Sequence, residues 1–194
     1  MLIGRASRPC PSSRGRLPAV MTEPLRLHIG GTVAKTGWRI LNIQPGPDVD
    51  YVGTCVSLEQ FADGSVEEVY ASHVLEHLGY HDELPRAMRE IWRVLKPGGV
   101  CRISVPDFEI LCHLFVNEHV PAHQRFPLMR IAFGGQEDAH DFHKVGLSWD
   151  FMVHFARQAG FTKIRRVERF DLFDDSSSIT IVGFPICLNV EIEK

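Results

Sequence analysis

The chain has 194 residues, of which 44% are apolar, 23% charged and 9% aromatic, and it carries a net charge of −3. This balance excludes a wholly disordered, collagen-like or coiled-coil chain, and the length suits one domain of about 100–200 residues. No apolar run approaches the ~20 residues that span a bilayer, so no membrane association is expected, and the mild acidity gives no reason to expect nucleic acid as a partner.

Arg5, Arg8, Arg14 and Arg16 fall in a segment without a single acid, broken by Pro9, Pro11 and Pro18. Residues 1–24 therefore read as a disordered basic tail, or as an over-long start with Met21 as the true initiator. Cys10, Cys55, Cys101, Cys112 and Cys187 are scattered and never form a CxxC pair. That usage suits reduced thiols in a cytoplasmic protein.

From Leu25 onward, short apolar runs alternate with helical periodicity, the pattern of an α/β fold. Strands are expected at 25–29, 39–43, 49–53 and 66–71. Leu84, Ala87, Met88, Ile91 and Leu95 then form one helical face, ended by Lys96-Pro97-Gly98-Gly99. A fifth strand is expected at 100–105. Asp107 can cap the next helix, with Phe108, Leu111, Cys112 and Phe115 inward, and a further helix is expected over 122–133. Ser148 should cap another, carrying Trp149, Met152, Val153, Ala156 and Ala159 on its apolar face and stopping at Gly160. Runs 163–170, 178–183 and 186–192 read as closing strands. Only nine residues, GGTVAKTGW, separate the first two strands, too few for an ordinary parallel crossover. The helix there is expected to be reduced to a turn.

Two segments carry chemistry. Gly30-Gly31-Thr32 follows the first strand directly, where glycine admits a ligand to the backbone and free N–H groups can meet an anion, although such a turn can equally be only a turn. His73-Val-Leu-Glu76-His77 formally matches the H-x-x-E-H pattern of inverted zinc peptidases, with His81 continuing the face. The pattern begins directly after a strand, so His77 is expected to hydrogen-bond across a loop and His73 to point into a cleft. No metal ligand is assigned on this basis.

ADGSVEEVYASHVLEH (62–77) and RVLKPGGVCRISVPD (93–107) resemble the second half of the class I S-adenosylmethionine-dependent methyltransferase domain, in its compact bacterial, type 11-like form. The similarity covers nearly all of 25–194, which would be one methyltransferase-like domain. It implies a doubly wound, mostly parallel seven-stranded sheet with the last strand antiparallel, and S-adenosylmethionine across the carboxyl ends of the first, second and fourth strands. On this resemblance Gly30, Gly31 and Thr32 face the methionine part, and Asn42 and Gln44 lie near the ribose. Thr54 and Cys55 flank the adenine, and Ser72 and His73 lie beside the sulfonium. His28 stands where the family carries an acid, Thr32 replaces a glycine, and an amide replaces the ribose-binding acid. Each change removes negative charge from a pocket for a cationic cofactor.

Three functions follow as expectations. The first is methyl transfer to a small-molecule or glycan-like acceptor, with neutral His73 as the foremost catalytic base and Asp107 or His143 next. No [ND]PP[YF]-type motif follows the fourth strand, which argues against amino methylation of bases or glutamine. The second is a cofactor-poor binding or regulatory module on the same fold, and the third a zinc hydrolase using His73, Glu76 and His77. Asp107 has a structural alternative as an N-cap, and His140, His143 and Lys144 fall in a Gly-rich stretch, 134–147, able to lid the site.

Overall fold

The structure is a computed structural model that describes residues 24–194. Residues 1–23, and with them nearly all of the basic segment, lie outside the described residues. In chain order the elements are β1 (Leu25–Ile29), β2 (Arg39–Asn42), β3 (Tyr51–Val52), β4 (Val66–Ser72), a 3₁₀ turn (Leu75–His77), α1 (Glu83–Val94) and β5 (Leu95–Pro106). They continue through α2 (Phe108–Val116), α3 (Ala122–Phe133), α4 (Trp149–Ala159), β6 (Lys163–Val167), a second 3₁₀ turn (Ser176–Ser178), β7 (Thr180–Ile181), β8 (Phe184–Pro185) and β9 (Cys187–Glu193).

Seven strands form one sheet in the order β3-β2-β1-β4-β5-β9-β6. All neighbours pair parallel except β9, which runs antiparallel to both β5 and β6. The chain thus winds outward one way through β2 and β3 and the other way through β4 and β5, reversing between β1 and β4. Such a reversal leaves a crevice at the carboxyl ends of the strands.

Strand alternation sends the two faces to different partners. Leu27, Ile29, Val69 and Ala71 lie in the main core with Leu84, Met88 and Ile91 of α1 and Met152 and Ala156 of α4. His28 and Tyr70, paired in register, face the other way. No helix occupies residues 30–38, so the expected reduction of that crossover holds. Its place over the sheet is taken by the connection from β6 to β9. Phe173 packs on His28 at 4.1 Å, on Tyr70 at 4.7 Å and on Trp38 at 5.2 Å between ring centroids. Phe170 reaches Tyr70 at 5.7 Å, and the Tyr70 hydroxyl donates to Asp175 Oδ2 at 2.7 Å. Each such aromatic pair contributes about 0.5–1.5 kcal/mol beyond its buried area.

Several boundaries differ from expectation. α1 stops at Val94, and Leu95 already pairs with Val66, so β5 starts five residues early. A register shift between Val66 and Glu68 absorbs the Pro97-Gly98-Gly99 bend. α2 buries Leu111 and Leu114, whereas Cys112 and Phe115 are exposed. Packing of α2 against α3 selected this stripe: Leu111 and Leu114 share a second core with Leu128 and Ile186. Ser148 precedes α4 without making a side-chain cap, but Gly160 does end it in the left-handed conformation. The run 178–183 adds no strand to the sheet and instead forms the small β7–β8 hairpin. β6 ends at Val167, short of Phe170.

Candidate active site

The carboxyl ends of β1, β2, β3 and β4 surround a cavity of about 660 Å³, lined by Ile29, Gly30, Leu41, Asn42, Thr54, Cys55, His73 and Val74, with His77, Glu83 and Arg86 at its edge. That volume falls within the ~300–1,000 Å³ typical of small-molecule sites. Gly30 holds φ at +80°, and a Cβ there would come within 2.5 Å of Val74 Cγ2. The turn is pinned by the Gly30 N–H, which donates to the Leu41 carbonyl at 2.8 Å.

The two amides near the expected ribose position are already engaged. Asn42 Nδ2 donates to the Gly31 carbonyl at 2.9 Å and the Gly30 carbonyl at 3.3 Å, while its Oδ1 accepts from the Gln44 N–H at 2.9 Å. Asn42 therefore clamps the glycine turn. Gln44 Nε2 donates to Asp138 Oδ2 at 3.1 Å, tying the end of β2 to the 134–147 segment, and Gln44 does not line the cavity. Thr54 Oγ1 accepts from the Val56 N–H at 3.3 Å. Cys55 is buried, which pushes its thiol up to about 12, so it acts as wall and not as nucleophile. Sequence reasoning missed both acids that line this cavity, Asp82 and Glu83. Glu83 Oε2 accepts from the Gly79 N–H at 2.7 Å and from Lys144 Nζ at 3.0 Å, which holds its carboxyl below the usual range.

The remaining expected cofactor residues sit across Gly30. His28, Gly31, Thr32 and Ser72 line a second cavity of about 580 Å³, together with Lys35, Phe173 and Asp175. His28 is buried, and burial lowers its imidazole to about 4, with Asp175 opposing and Lys35 reinforcing the shift. It is a neutral ring in an aromatic nest, and its Nδ1 has no hydrogen-bond partner.

His73 is the junction. It borders both cavities and also a recess of about 340 Å³ lined by Phe126, Arg130, Ile131, Gly134 and His143. Its backbone is held at φ +52°, a strained setting of the kind that concentrates at functional sites. Nε2 lies 3.2 Å from the Ser176 carbonyl and 3.6 Å from Cys187 Sγ, and Nδ1 lies 3.3 Å from Glu76 Oε1. Burial opposes a charge here, but Cys187 and the Glu76 carboxylate outweigh it and raise the imidazole to about 10. This balance favours the charged ring over the neutral base expected of His73. His143 has the opposite balance: burial keeps it below the ordinary range, with Glu76 only partly offsetting.

Asp107 lines none of these cavities. It is 1% exposed, its Oδ1 accepts from the Ile110 N–H at 3.5 Å, and its Oδ2 meets Arg166 at 2.5 Å. Burial raises its carboxyl despite Arg166. Its place is that of the N-cap of α2. Asp107→Ala is expected to cost about 1–2 kcal/mol in thermal or urea unfolding and to leave ligand affinity unchanged. A loss of affinity without a loss of stability would return Asp107 to the site.

The H-x-x-E-H pattern does not fold as a peptidase helix. Only Leu75–His77 are helical, as one 3₁₀ turn, and His73 lies outside it. His77 Nδ1 makes no hydrogen bond across a loop; it is buried without a partner.

A doubly wound, mostly parallel sheet with one antiparallel strand and a cavity at its reversal point is a Rossmann-like fold, one that solved methyltransferases share. Residues 35–103 match the family model described as a methyltransferase domain. A SAM-dependent methyltransferase from Archaeoglobus fulgidus superposes with a TM-score of 0.58 at 13% identity, covering 88% of this chain and 86% of that one. A possible histamine N-methyltransferase from Thermotoga maritima gives 0.52 at 17% identity, covering 90% and 84%. A methyltransferase from Mesorhizobium loti gives 0.51 at 14%, covering 88% and 90%. Comparison with curated protein sequences gives no match. The resemblance to class I S-adenosylmethionine-dependent methyltransferases is thereby borne out.

Proposed function

We propose that the chain is a methyltransferase that binds S-adenosylmethionine in the 660 Å³ cavity and acts on a small-molecule or glycan-like acceptor. The observation that carries this reading is the position of that cavity, at the carboxyl ends of β1 to β4 around a turn where only glycine fits. Ile29, Val56, Val74 and Leu78 offer apolar walls to an adenine ring, Gly30 allows close backbone approach, and Asp82 adds a carboxylate to the lining. Bound S-adenosylmethionine supplies a methyl group on a sulfonium, ready for displacement by an acceptor.

The protein's contribution is placement, which lowers the barrier by bringing nucleophile and methyl into line. The 340 Å³ recess shares His73 with the cofactor cavity and is built from α3 and the 134–147 segment. Its size suits a small acceptor, and Arg130 offers it a positive charge. His143, held neutral, is the residue there able to take a proton from a hydroxyl or amine acceptor. No helix among the described residues is long and apolar enough to cross a membrane. The four cysteines among them are free, which suits a cytoplasmic setting.

One observation favours a second reading, a binding module on the same fold. Asn42 and Gln44 spend their amides on internal bonds, so the ribose lacks its usual partner. Calorimetric titration with S-adenosylhomocysteine separates the two: micromolar binding is expected, and silence at millimolar ligand would leave only the binding module.

A further inference from the structure

The geometry points to a binding site for one divalent transition-metal ion of the zinc class, held by Glu76, His77 and His143 in the partition between the cofactor cavity and the acceptor recess. One donor atom from each of these side chains lies within 4.8 Å of the other two. Glu76 Oε1 is 4.0 Å from His143 Nε2, and the rings of His77 and His143 stand edge to face with centroids 4.7 Å apart. Ligand bonds of about 2.0–2.2 Å place tetrahedral donors roughly 3.4 Å from one another. Side-chain shifts of about 1 Å, within the reach of small rotations, would close the set.

A second, independent observation singles out these groups. Glu76 is 2% exposed, yet neither carboxylate oxygen has a hydrogen-bond partner, and His77 Nδ1 is buried and equally unpartnered. Burying a carboxylate without compensation costs several kcal/mol, so such a group normally meets a cation. The charged ring of His73 already stands 3.3 Å from Oε1 as an ion pair, which leaves Oε2 without any partner. It satisfies the charge only in part and would stand behind the carboxylate as the group that orients it.

The backbone fixes the arrangement. The Lys144 and Val145 N–H groups both donate to the Glu76 carbonyl, at 2.8 and 3.3 Å, which straps residues 143–145 onto the 3₁₀ turn. Two imidazoles and one carboxylate are the donor set of zinc and of non-haem iron, and too rich in nitrogen for calcium or magnesium. His77 lines the larger cavity and His143 the recess, so the ion would sit where the two meet. Three protein ligands leave a coordination position for water or an acceptor oxygen. An imidazole bound to the ion has no free lone pair, so His143 would act as ligand or as base and not as both; the site does not depend on methyl transfer and would hold equally for a binding module.

The test uses the full chain, freed of metal by chelation and titrated with cobalt(II), followed by visible ligand-field absorption, and then with zinc, followed by calorimetry. One ion per chain is expected, with the strong bands of four- or five-coordinate cobalt. Loss of an orienting neighbour alone weakens metal sites about 10–100-fold, so Glu76→Gln and His143→Ala should each lose at least that much. His113→Ala, on the exposed face of α2, should bind as the wild type does. Circular dichroism verifies that each variant is folded. Zinc should also raise the melting temperature of the wild type and not of Glu76→Gln. Wild-type protein that binds no ion, or affinity undiminished in both variants, would overturn the proposal whatever the S-adenosylhomocysteine titration shows.

Discussion

Gly30→Val is expected to weaken S-adenosylhomocysteine binding at least about 100-fold, equivalent to about 2.8 kcal/mol. Two effects combine. The left-handed backbone at φ +80° costs a β-branched residue more than the ~1–2 kcal/mol paid by other side chains. The new Cβ would also stand 2.5 Å from Val74 Cγ2, closer than real contacts allow. Either Val74 is driven into the cavity or the turn lifts away from Leu41, and each outcome removes the surface on which the ligand would lie. Gly37→Val is the matched control. It carries a similar φ of +81°, its Cβ would meet nothing nearer than 3.9 Å, and it does not line the site cavity. It should lose stability in a thermal melt yet keep its affinity. Equal affinity in Gly30→Val and the wild type would reject this placement of the site.

The second large effect is a loss of stability in mild acid. His28 is held near 4 in the folded chain by burial, against an ordinary value of 6.5 in the unfolded one. Between these values the unfolded chain binds a proton that the folded chain does not, so stability rises with pH across the window. The contribution is complete above 6.5, falls away as pH drops towards 4, and is gone below it. At about 1.4 kcal/mol per pH unit, this amounts to about 3 kcal/mol. Asp175 and Lys35, the charged groups acting on the ring, oppose each other and leave burial in control. His28→Phe preserves an aromatic ring beside Phe173 and Tyr70 and removes the titration. Urea unfolding at pH 7, 5.5 and 4 should therefore show a shallower decline in the variant. Parallel declines in the two proteins would show that His28 is not the group responsible.

Much of the fold was legible in the sequence because the signals are local. Leu84, Ala87, Met88 and Ile91 repeat at the helical period, and the structure buries all four. Lys96 to Gly99 announced an end to the helix but not whether the bend belonged to a loop or to β5, since pairing with Val66 decided that. For α2, periodicity pointed to Phe108, Leu111, Cys112 and Phe115, and packing against α3 buried Leu111 with Leu114 instead. Gly30 was visible as the centre of a turn that can admit a ligand to the backbone. The engagement of Asn42 with the carbonyls of Gly30 and Gly31 was not, because an amide in sequence shows its capacity to bond and not its partner.

By itself the sequence determined the alternation of strands and helices, the missing crossover helix between β1 and β2, and the glycine turn at the mouth of the sheet. These follow from residue period, turn chemistry and chain length, which act between near neighbours. The tertiary structure alone decided what covers and completes them. Phe170 and Phe173 replace the absent helix, Arg166 pairs with Asp107 at the start of α2, and His143 joins His73 beside Glu76. Each of these joins residues far apart in the chain. An apolar or charged side chain advertises that it needs a partner, but only the packing of the whole domain selects which one it meets.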